Sequence, residues 1–348
     1  MSADTFHGWA ASGKDQPLEW RELPLKTFDE DTVEMDVTHC GICGSDIHTL
    51  DSGWGPTDYP CVVGHEITGV CTRVGNNVKH IKVGDRVGVG AQSGSCLECE
   101  TCTNGMENLC RKGATGTYNS RYPNGDKSFG GYADRWRGHQ RFVFRVPDNM
   151  TNETAATFFC AGVTTYSPLK RYGVKPGDKV GVIGIGGLGH FAVQWAKAMG
   201  AQVVALSSSD RKREDAKALG CDDYVVTSDK EAMGKLKGTL THIVCTSFGH
   251  DDFEWALYFQ AMRENGHFIM VALPETPLNG IPAMLLAGRQ IALVGSMIGS
   301  PSMIEDMLQF AANHDVKPWL NKYSMKDTPA AVQAMRDGKA RYRIILEN

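Results

Sequence analysis

The sequence predicts an α/β chain in two parts: a mostly β, barrel-like domain bearing a cysteine-rich lobe, and a doubly wound parallel sheet. Three observations predict it. Short strand-like runs, punctuated by glycines at 64, 69, 75, 84, 88 and 90, fill the first ninety residues. Four cysteines crowd into residues 96–110 of a polar stretch. From residue 151 apolar runs alternate with helix-like segments around the turn Gly184-Ile-Gly-Gly-Leu-Gly189. Such alternation builds βαβ units, which pack as a parallel sheet covered on both faces. The expected boundaries are 1–150 with 294–348 for the first domain and 151–293 for the second.

Taken in order, Thr32-Val-Glu-Met-Asp-Val-Thr38 alternates apolar and polar residues at period two, the mark of a half-buried strand. Residues 91–130 are polar and rich in Cys and Gly; we read them as a lobe without regular structure that needs a staple. Thr151-Asn-Glu-Thr opens a helix, with a capping hydroxyl and an early acid. Expected next are strand 179–184, a helix from 187 to 199, strand 202–207, helix 211–219 and strand 223–226. Strand 241–246, helix 251–264 and strand 266–272 follow. Ser302-Met-Ile-Glu305 reads as a capping box, Asp327-Thr-Pro329 as a second helix start, and 341–346 as a closing strand.

Composition narrows the function classes. The chain has 348 residues, 42% hydrophobic and 22% charged, with net charge −4. That balance gives no electrostatic case for nucleic acid or an anionic membrane surface. No run of about 18 apolar residues marks a membrane span, and the amino terminus has no secretory pattern. Eleven cysteines, an odd number, point to reduced thiols and metal ligands in a cytoplasmic protein.

Cys96-x2-Cys99-x2-Cys102-x7-Cys110 is the most specific local signal. Four thiolates at this spacing close a tetrahedral zinc site and leave no open position, so that metal is structural. Buried or disulfide-bonded cysteines are the alternative. An iron–sulfur cluster also takes four thiolates, but redox-silent zinc better suits a lobe that must be held in shape.

A second set lies outside the lobe: Gly41-Ile-Cys43-Gly-Ser45-Asp46-Ile-His48, then Gly64-His65-Glu66, then Cys160. Singly, such residues are more often core packing. Together, Gly64-His65-Glu66-x2-Gly69-x5-Gly75-x2-Val78 resembles, position for position, the zinc signature of the medium-chain alcohol dehydrogenases. With Gly162-Val-Thr-Thr-Tyr-Ser-Pro168, the glycine turn and Gly338-Lys-Ala-Arg-Tyr-Arg343, the chain is similar to the cinnamyl-alcohol-dehydrogenase branch, above all its microbial NADP-dependent members.

The resemblance implies a GroES-like, zinc-binding catalytic domain and a Rossmann cofactor domain. It implies a catalytic zinc on Cys43, His65 and Cys160, with Glu66 as fourth ligand alternating with water or substrate. Asp46 would accept the second ring N–H of His65, although an Asp after Gly44-Ser45 also serves as a turn cap. Ser45 would take the alcohol's proton and His48 pass it to solvent. Thr164 and the backbone around Ser296 to Ile298 would hold the nicotinamide end. Gly184, Gly186, Gly187, Leu188 and Gly189 would cradle the pyrophosphate. Leu50 and Trp54, near the zinc segment, are expected in the pocket wall, and a homodimer is expected through residues 284–300.

Cofactor choice is read from the residues themselves. An acid about twenty positions past the glycine turn grips the ribose 2′-OH of NAD. Here Ser208 stands nineteen residues after Gly189, within Ser207-Ser208-Ser209-Asp210-Arg211-Lys212-Arg213. Hydroxyls and cations suit a dianionic 2′-phosphate, so NADP(H) is expected, with Ser207, Ser208, Ser209, Lys212 and Arg213 around it. Asp210 is the contrary sign, and the run also reads as a helix cap beside a solvated basic face. The expected activity is an NADP(H)-dependent zinc alcohol dehydrogenase or aldehyde reductase interconverting primary alcohols and aldehydes of aliphatic, aromatic or cinnamyl type, with two Zn2+ per chain. The alternatives are a zinc polyol dehydrogenase, against which the third cysteine ligand counts, and a non-enzymatic zinc or nucleotide-binding protein.

Overall fold

The computed structural model describes residues 4–248 and 253–348. Two compact units divide it: Met1–Val163 with Ile298–Asn348, and Thr164–Met297.

In the first unit, strand Thr32–Ile42 is the hub. Its sheet runs Leu320–Ser324, Arg343–Glu347, Thr32–Ile42, Glu66–Val74, Arg86–Val89, Phe144–Arg145, with Arg135–His139 also paired to the hub. Register sets Gly41 opposite Glu66 on one side and Ile42 opposite Ile344 on the other. Val33, Met35, Val37, Ile67 and Trp136 are buried in one core with Phe6 of the hairpin Thr5–Ala11/Leu18–Pro24. One charge pair is buried with them. Arg137 Nε and Nη2 donate to Glu34 at 2.8 and 2.6 Å, Nη1 donates to Lys26 O at 2.6 Å, and Arg135 binds the same carboxylate.

Residues 151–163 group with this unit, beyond the expected boundary at 150. The reason is local: helix Asn152–Thr157, capped by Thr151 Oγ1 on Thr154 N, lies against the hub and Glu66–Val74. Asn152 Nδ2 donates to Thr38 Oγ1 at 2.9 Å, and Thr68 Oγ1 donates to Asn152 O at 3.0 Å.

The second unit is a six-stranded parallel sheet ordered Asp223–Val226, Gln202–Ser207, Lys179–Ile183, Leu240–Cys245, Met262–Met270, Ala292–Gly295. This is a doubly wound order with its switch point between Lys179–Ile183 and Leu240–Cys245, where ligands bind at the carboxyl ends of strands. Trp255, Phe259 and Phe268 dominate the core on one face. Two local expectations need correction. The helix expected over 251–264 is Trp255–Ala261 (251 and 252 lie outside the described residues), and Met262 already pairs with Leu240 as strand. Residues 263–266 fall in the register shift between the Met262 and His267 pairs, where Asn265 takes φ 58°, a value no helix interior uses. Helix Pro301–His314 is capped by Ser300, whose Oγ accepts from Met303 N at 3.4 Å, and not by Ser302. Pro301 supplies the fixed φ of a first helical residue, which moves the cap one residue ahead of it.

Candidate metal centres and cofactor loop

Cys43 ends the hub strand's run and starts helix Gly44–Leu50, His65 immediately precedes strand Glu66–Val74, and Cys160 lies in a π-helical turn, Phe158–Gly162. Such turns often mark functional sites because they re-aim one side chain. The three donor atoms lie within 4.8 Å of one another, and all three residues are buried. Cys43 Sγ and Cys160 Sγ are 3.9 Å apart. With zinc–sulfur bonds of about 2.3 Å, a tetrahedral site sets its sulfurs about 3.8 Å apart. His65 Nε2 is buried with no hydrogen-bond partner among the described residues. The donor set fits a metal.

The electrostatics fit as well. The neighbouring Cys160 thiol, with help from His65, holds Cys43 well below the ordinary thiol value, while Cys43 and burial push Cys160 well above it. Burial works against the His65 charge, but Asp46 and Cys43 outweigh it and carry its pKa up to about 9.

Glu66, expected as fourth ligand, stands outside this donor cluster. Its Oε1 accepts from Arg343 Nη2 at 2.6 Å and Ala161 N at 3.1 Å, while Oε2 is without a partner among the described residues. Burial raises its pKa to about 7 against the pull of Arg343. Asp46 needs the other correction. Its Oδ1 is 3.6 Å from His65 Nδ1, while the Tyr118 hydroxyl is 2.9 Å from that nitrogen. Asp46 chiefly holds the local backbone, accepting from Cys43 N at 2.9 Å, Gly64 N at 3.1 Å and the Tyr132 hydroxyl at 2.9 Å. Tyr118 and Tyr132 carried no local sequence signal, and Arg343 entered only as the end of the closing motif Gly338-Lys-Ala-Arg-Tyr-Arg343, with no role at the site.

Ser45 and His48 share one face of helix Gly44–Leu50. Ser45 Oγ is 3.7 Å from Cys43 Sγ. The His48 ring stacks on Trp54 at 4.3 Å and 17°, with Trp54 46% exposed. Leu50, expected in a pocket wall, is 6% exposed and packs into the barrel core, because the apolar face of so short a helix turns Ile47 and Leu50 inward.

In the lobe, Cys96, Cys99, Cys102 and Cys110 form the second donor cluster. Their sulfur separations are 3.9 Å (96–102), 3.5 Å (99–102), 4.0 Å (99–110) and 3.5 Å (96–110). All eleven cysteines are free thiols, so no disulfide staples the lobe. Cys96 N and Cys99 N point at Cys110 and Cys96 sulfurs, at 3.5 and 3.3 Å, as thiolates require. Buried Glu107 accepts from Arg141 Nε at 2.7 Å and ties the lobe to the barrel.

In the second unit, the glycine turn joins strand Lys179–Ile183 to helix Gly189–Ala198. A Cβ on Gly189 would stand 1.9 Å from Gly184 O, whereas one on Gly186 would meet nothing within 4 Å. The first glycine lets helix and strand touch; the second leaves an open cradle of the kind a pyrophosphate fills. Gly187 and Leu188 complete the turn, and Leu188 precedes the helix. Strand Gln202–Ser207 leads into the loop expected to meet the ribose. Ser208 is exposed, and Ser209 Oγ accepts from Arg211 Nε at 3.3 Å. Lys212 Nζ donates to Ile185 O at 2.5 Å, which brings the ribose loop onto the glycine turn. Burial, with the Arg211 charge, lowers the Lys212 pKa. Arg213 is engaged elsewhere: Nε binds Asp210 at 2.7 Å, Nη1 donates to Tyr224 O at 3.1 Å, and the guanidinium lies over the Tyr224 ring. The contrary carboxylate is therefore met by a cation. Thr164 is half-buried in helix Val163–Arg171, and Ser296 N donates to Met270 O at 3.2 Å, while Ser296 Oγ is buried and unpartnered among the described residues. Ile298 has φ 40°, a costly value for a β-branched residue.

Two family models match the chain: an alcohol dehydrogenase GroES-like domain over residues 29–148 and a zinc-binding dehydrogenase over 187–313. The chain belongs to the zinc-type medium-chain alcohol dehydrogenases, oxidoreductases that act on CH–OH donors. Among its relatives, a probable mannitol dehydrogenase of Mesembryanthemum crystallinum is 42% identical over 98% of this chain and 94% of its own. NADP-dependent alcohol dehydrogenase C 1 of Mycolicibacterium smegmatis is 40% identical over 99% and 98%. Among solved structures, a cinnamyl alcohol dehydrogenase of Sorghum bicolor superposes with TM-score 0.93 at 36% identity, covering 99% of this chain and 97% of that one.

Proposed function

We propose that this chain interconverts primary alcohols and aldehydes by hydride transfer with NADP(H). The first unit serves as the catalytic domain and the second as the cofactor domain. The observation that carries the reading is the convergence of Cys43, His65 and Cys160, donors 117 residues apart in sequence at their extremes, beside Ser45. These three would hold the catalytic zinc and the four lobe cysteines a structural one. When bound, zinc supplies a Lewis acid for the carbonyl oxygen and NADPH supplies the hydride. Ser45 accepts the alcohol's proton, and His48, one turn further along the same helix, passes it to solvent. Arg343 holds Glu66 back from the donor cluster. Ser207, Ser208 and Lys212 receive the 2′-phosphate, supported by the NADP-dependent relative; Thr164, Ser296 and Ile298 receive the nicotinamide end. Trp54 acts through its stack on His48 and borders the alcohol.

The free state of all eleven cysteines supports a cytoplasmic protein, and no helix among the described residues is long and apolar enough to cross a membrane. A homodimer is supported by the outer strand Ala292–Gly295, none of whose residues is buried, and by Met284, 81% exposed on a helix that buries none of its residues. An uncovered edge strand is a ready pairing surface.

Mixing pure protein with NADPH or NADH and benzaldehyde or cinnamaldehyde, and following the reduced-nicotinamide absorbance, tests the reading. Turnover faster with NADPH is expected. No turnover with any aldehyde from protein carrying two zinc ions per chain would sink it. Running the reverse reaction on mannitol tests the polyol reading, which the mannitol dehydrogenase relative favours.

A further inference from the structure

A metal-bound histidine needs its second ring nitrogen held, or the imidazole swings off the metal axis. We infer that Tyr118 is the positioning residue that holds His65, with Asp46 one step behind it. This rests on reading Cys43, His65 and Cys160 as a zinc site.

The distances separate the two partners. Tyr118 Oη is 2.9 Å from His65 Nδ1; the nearest carboxylate oxygen, Asp46 Oδ1, is 3.6 Å away and beyond hydrogen-bond reach. A neutral imidazole has one N–H and one lone pair. If Nε2, which has no protein partner, faces the metal, then Nδ1 carries the hydrogen and donates it to Tyr118. That leaves the Tyr118 hydroxyl its own hydrogen to offer, and the Asp46 carboxylate is the charge beside it. Asp46 accepts from Cys43 N, Gly64 N and Tyr132, so the carboxylate behind Tyr118 is fixed from three sides. Tyr118 also stacks on the imidazole, ring centres 5.3 Å apart and planes 21° apart, which blocks rotation of the ring.

Tyr118 is itself held by the base of the cysteine lobe. The ribbon Gln92–Gly94/Thr115–Gly116 closes the loop that carries all four lobe cysteines. Just past it, Thr117 N donates to Ala91 O at 3.1 Å and Thr117 Oγ1 to Gly90 O at 2.5 Å. The tyrosine is thus placed by backbone on one side and used by its hydroxyl on the other.

The test is metal release from the zinc-loaded full chain to a coloured chelator, with zinc counted at the start. Wild type should start with two ions per chain and release them in two phases. Tyr118→Phe keeps the ring and loses the hydroxyl, and it should speed one phase by about 10- to 100-fold while leaving the other in place. Tyr132→Phe removes a hydroxyl bound to Asp46 at 2.9 Å without touching His65, and should release zinc more slowly than Tyr118→Phe. Cobalt in place of zinc gives a second reading: its visible absorption should shift in Tyr118→Phe. Release at the wild-type rate with an unshifted cobalt spectrum overturns the inference, as does equal acceleration in both variants, which would mean general loosening. Wild type that carries one ion, kept by Cys43→Ser and lost by Cys102→Ser, would instead defeat the zinc-site reading on which the inference stands.

Discussion

Replacing Lys212 by glutamine tests the cofactor assignment where the structure makes two roles separable. Lys212 Nζ sits 2.5 Å from Ile185 O in the glycine turn, and burial beside Arg211 already disfavours its charge. An ammonium in that state gains from an arriving dianion. A charge-assisted hydrogen bond is worth about 1.5–3 kcal/mol, which is roughly 10- to 150-fold in affinity and falls on NADPH alone. The bond from the same ammonium to Ile185 O is lost for either cofactor, so it lowers both affinities alike and leaves the preference untouched. Titrating protein fluorescence with NADPH and NADH at low and high salt measures both dissociation constants. The NADPH-to-NADH preference should fall by at least tenfold in Lys212→Gln, and the wild-type preference should itself shrink with salt. Equal losses for the two cofactors would refute the reasoning and leave Lys212 as a strut for the glycine turn.

The two metal sites should part company under mutation. Cys43→Ser is expected to lose one zinc and the activity with the fold retained, measured by metal content, turnover and circular dichroism; retained activity refutes the ligand assignment. Cys102→Ser should instead lower the unfolding temperature and the soluble yield, since the lobe has exposed Leu97, Met106 and Leu109 and no core of its own. Glu34→Gln removes the buried one of the two carboxylates on Arg137 and leaves it only the exposed Asp4 at 2.9 Å, so it should cost part of the about 3–5 kcal/mol of a stranded buried charge in urea unfolding, whereas Glu34→Met with Arg137→Met should recover most of the loss; a loss under about 1 kcal/mol for the single variant counts against the pair. His242 is buried between Thr241 Oγ1 and Tyr172 O, and burial lowers its pKa below the ordinary 6.5. As pH falls through 6.5 the unfolded chain takes up a proton that the folded one refuses, so this stability is present above 6.5 and lost below it. The wild-type minus His242→Gln difference in unfolding free energy should therefore shrink from pH 7.5 to 5.5, and a constant difference would refute the linkage.

Much of this was readable from the chain because its signals are local. The four lobe cysteines span fifteen residues, the glycine turn six, and the strand of the hub betrays itself by alternation. What escaped reading is non-local or competitive. Tyr118 meets His65 across 53 positions and Arg343 meets Glu66 across 277, and neither residue type announces a partner. Arg213 read as a phosphate cation, but Asp210 and the Tyr224 ring compete for it. Leu50 read as a wall because it is near the zinc segment in sequence; helical rotation puts it in the core instead.

Cys43, His65 and Cys160 converge for a reason that lies in strand register. The hub strand ends at Ile42, so Cys43 is delivered at its carboxyl end, and the antiparallel pairing of Gly41 with Glu66 brings His65 to the same end. On the other flank, Ile42 opposite Ile344 sets Arg343 beside that end too. Glu66 and Arg343 therefore reach each other across Gly41, and only a glycine leaves the path clear: a Cβ there would stand 2.0 Å from Glu66 Oε2. Cys160 joins because Asn152–Thr157 packs on the same two strands before the π-helical turn. Since a slip of one residue turns every side chain to the other face, the hub register must be held firmly. The Glu34–Arg137 pair, with Arg135, fastens the hub to strand Arg135–His139 near its far end. On this argument Glu34→Gln should do more than lower stability: it should loosen zinc retention at Cys43, His65 and Cys160 before it affects the lobe. Release from both sites in step would show that the register is held elsewhere.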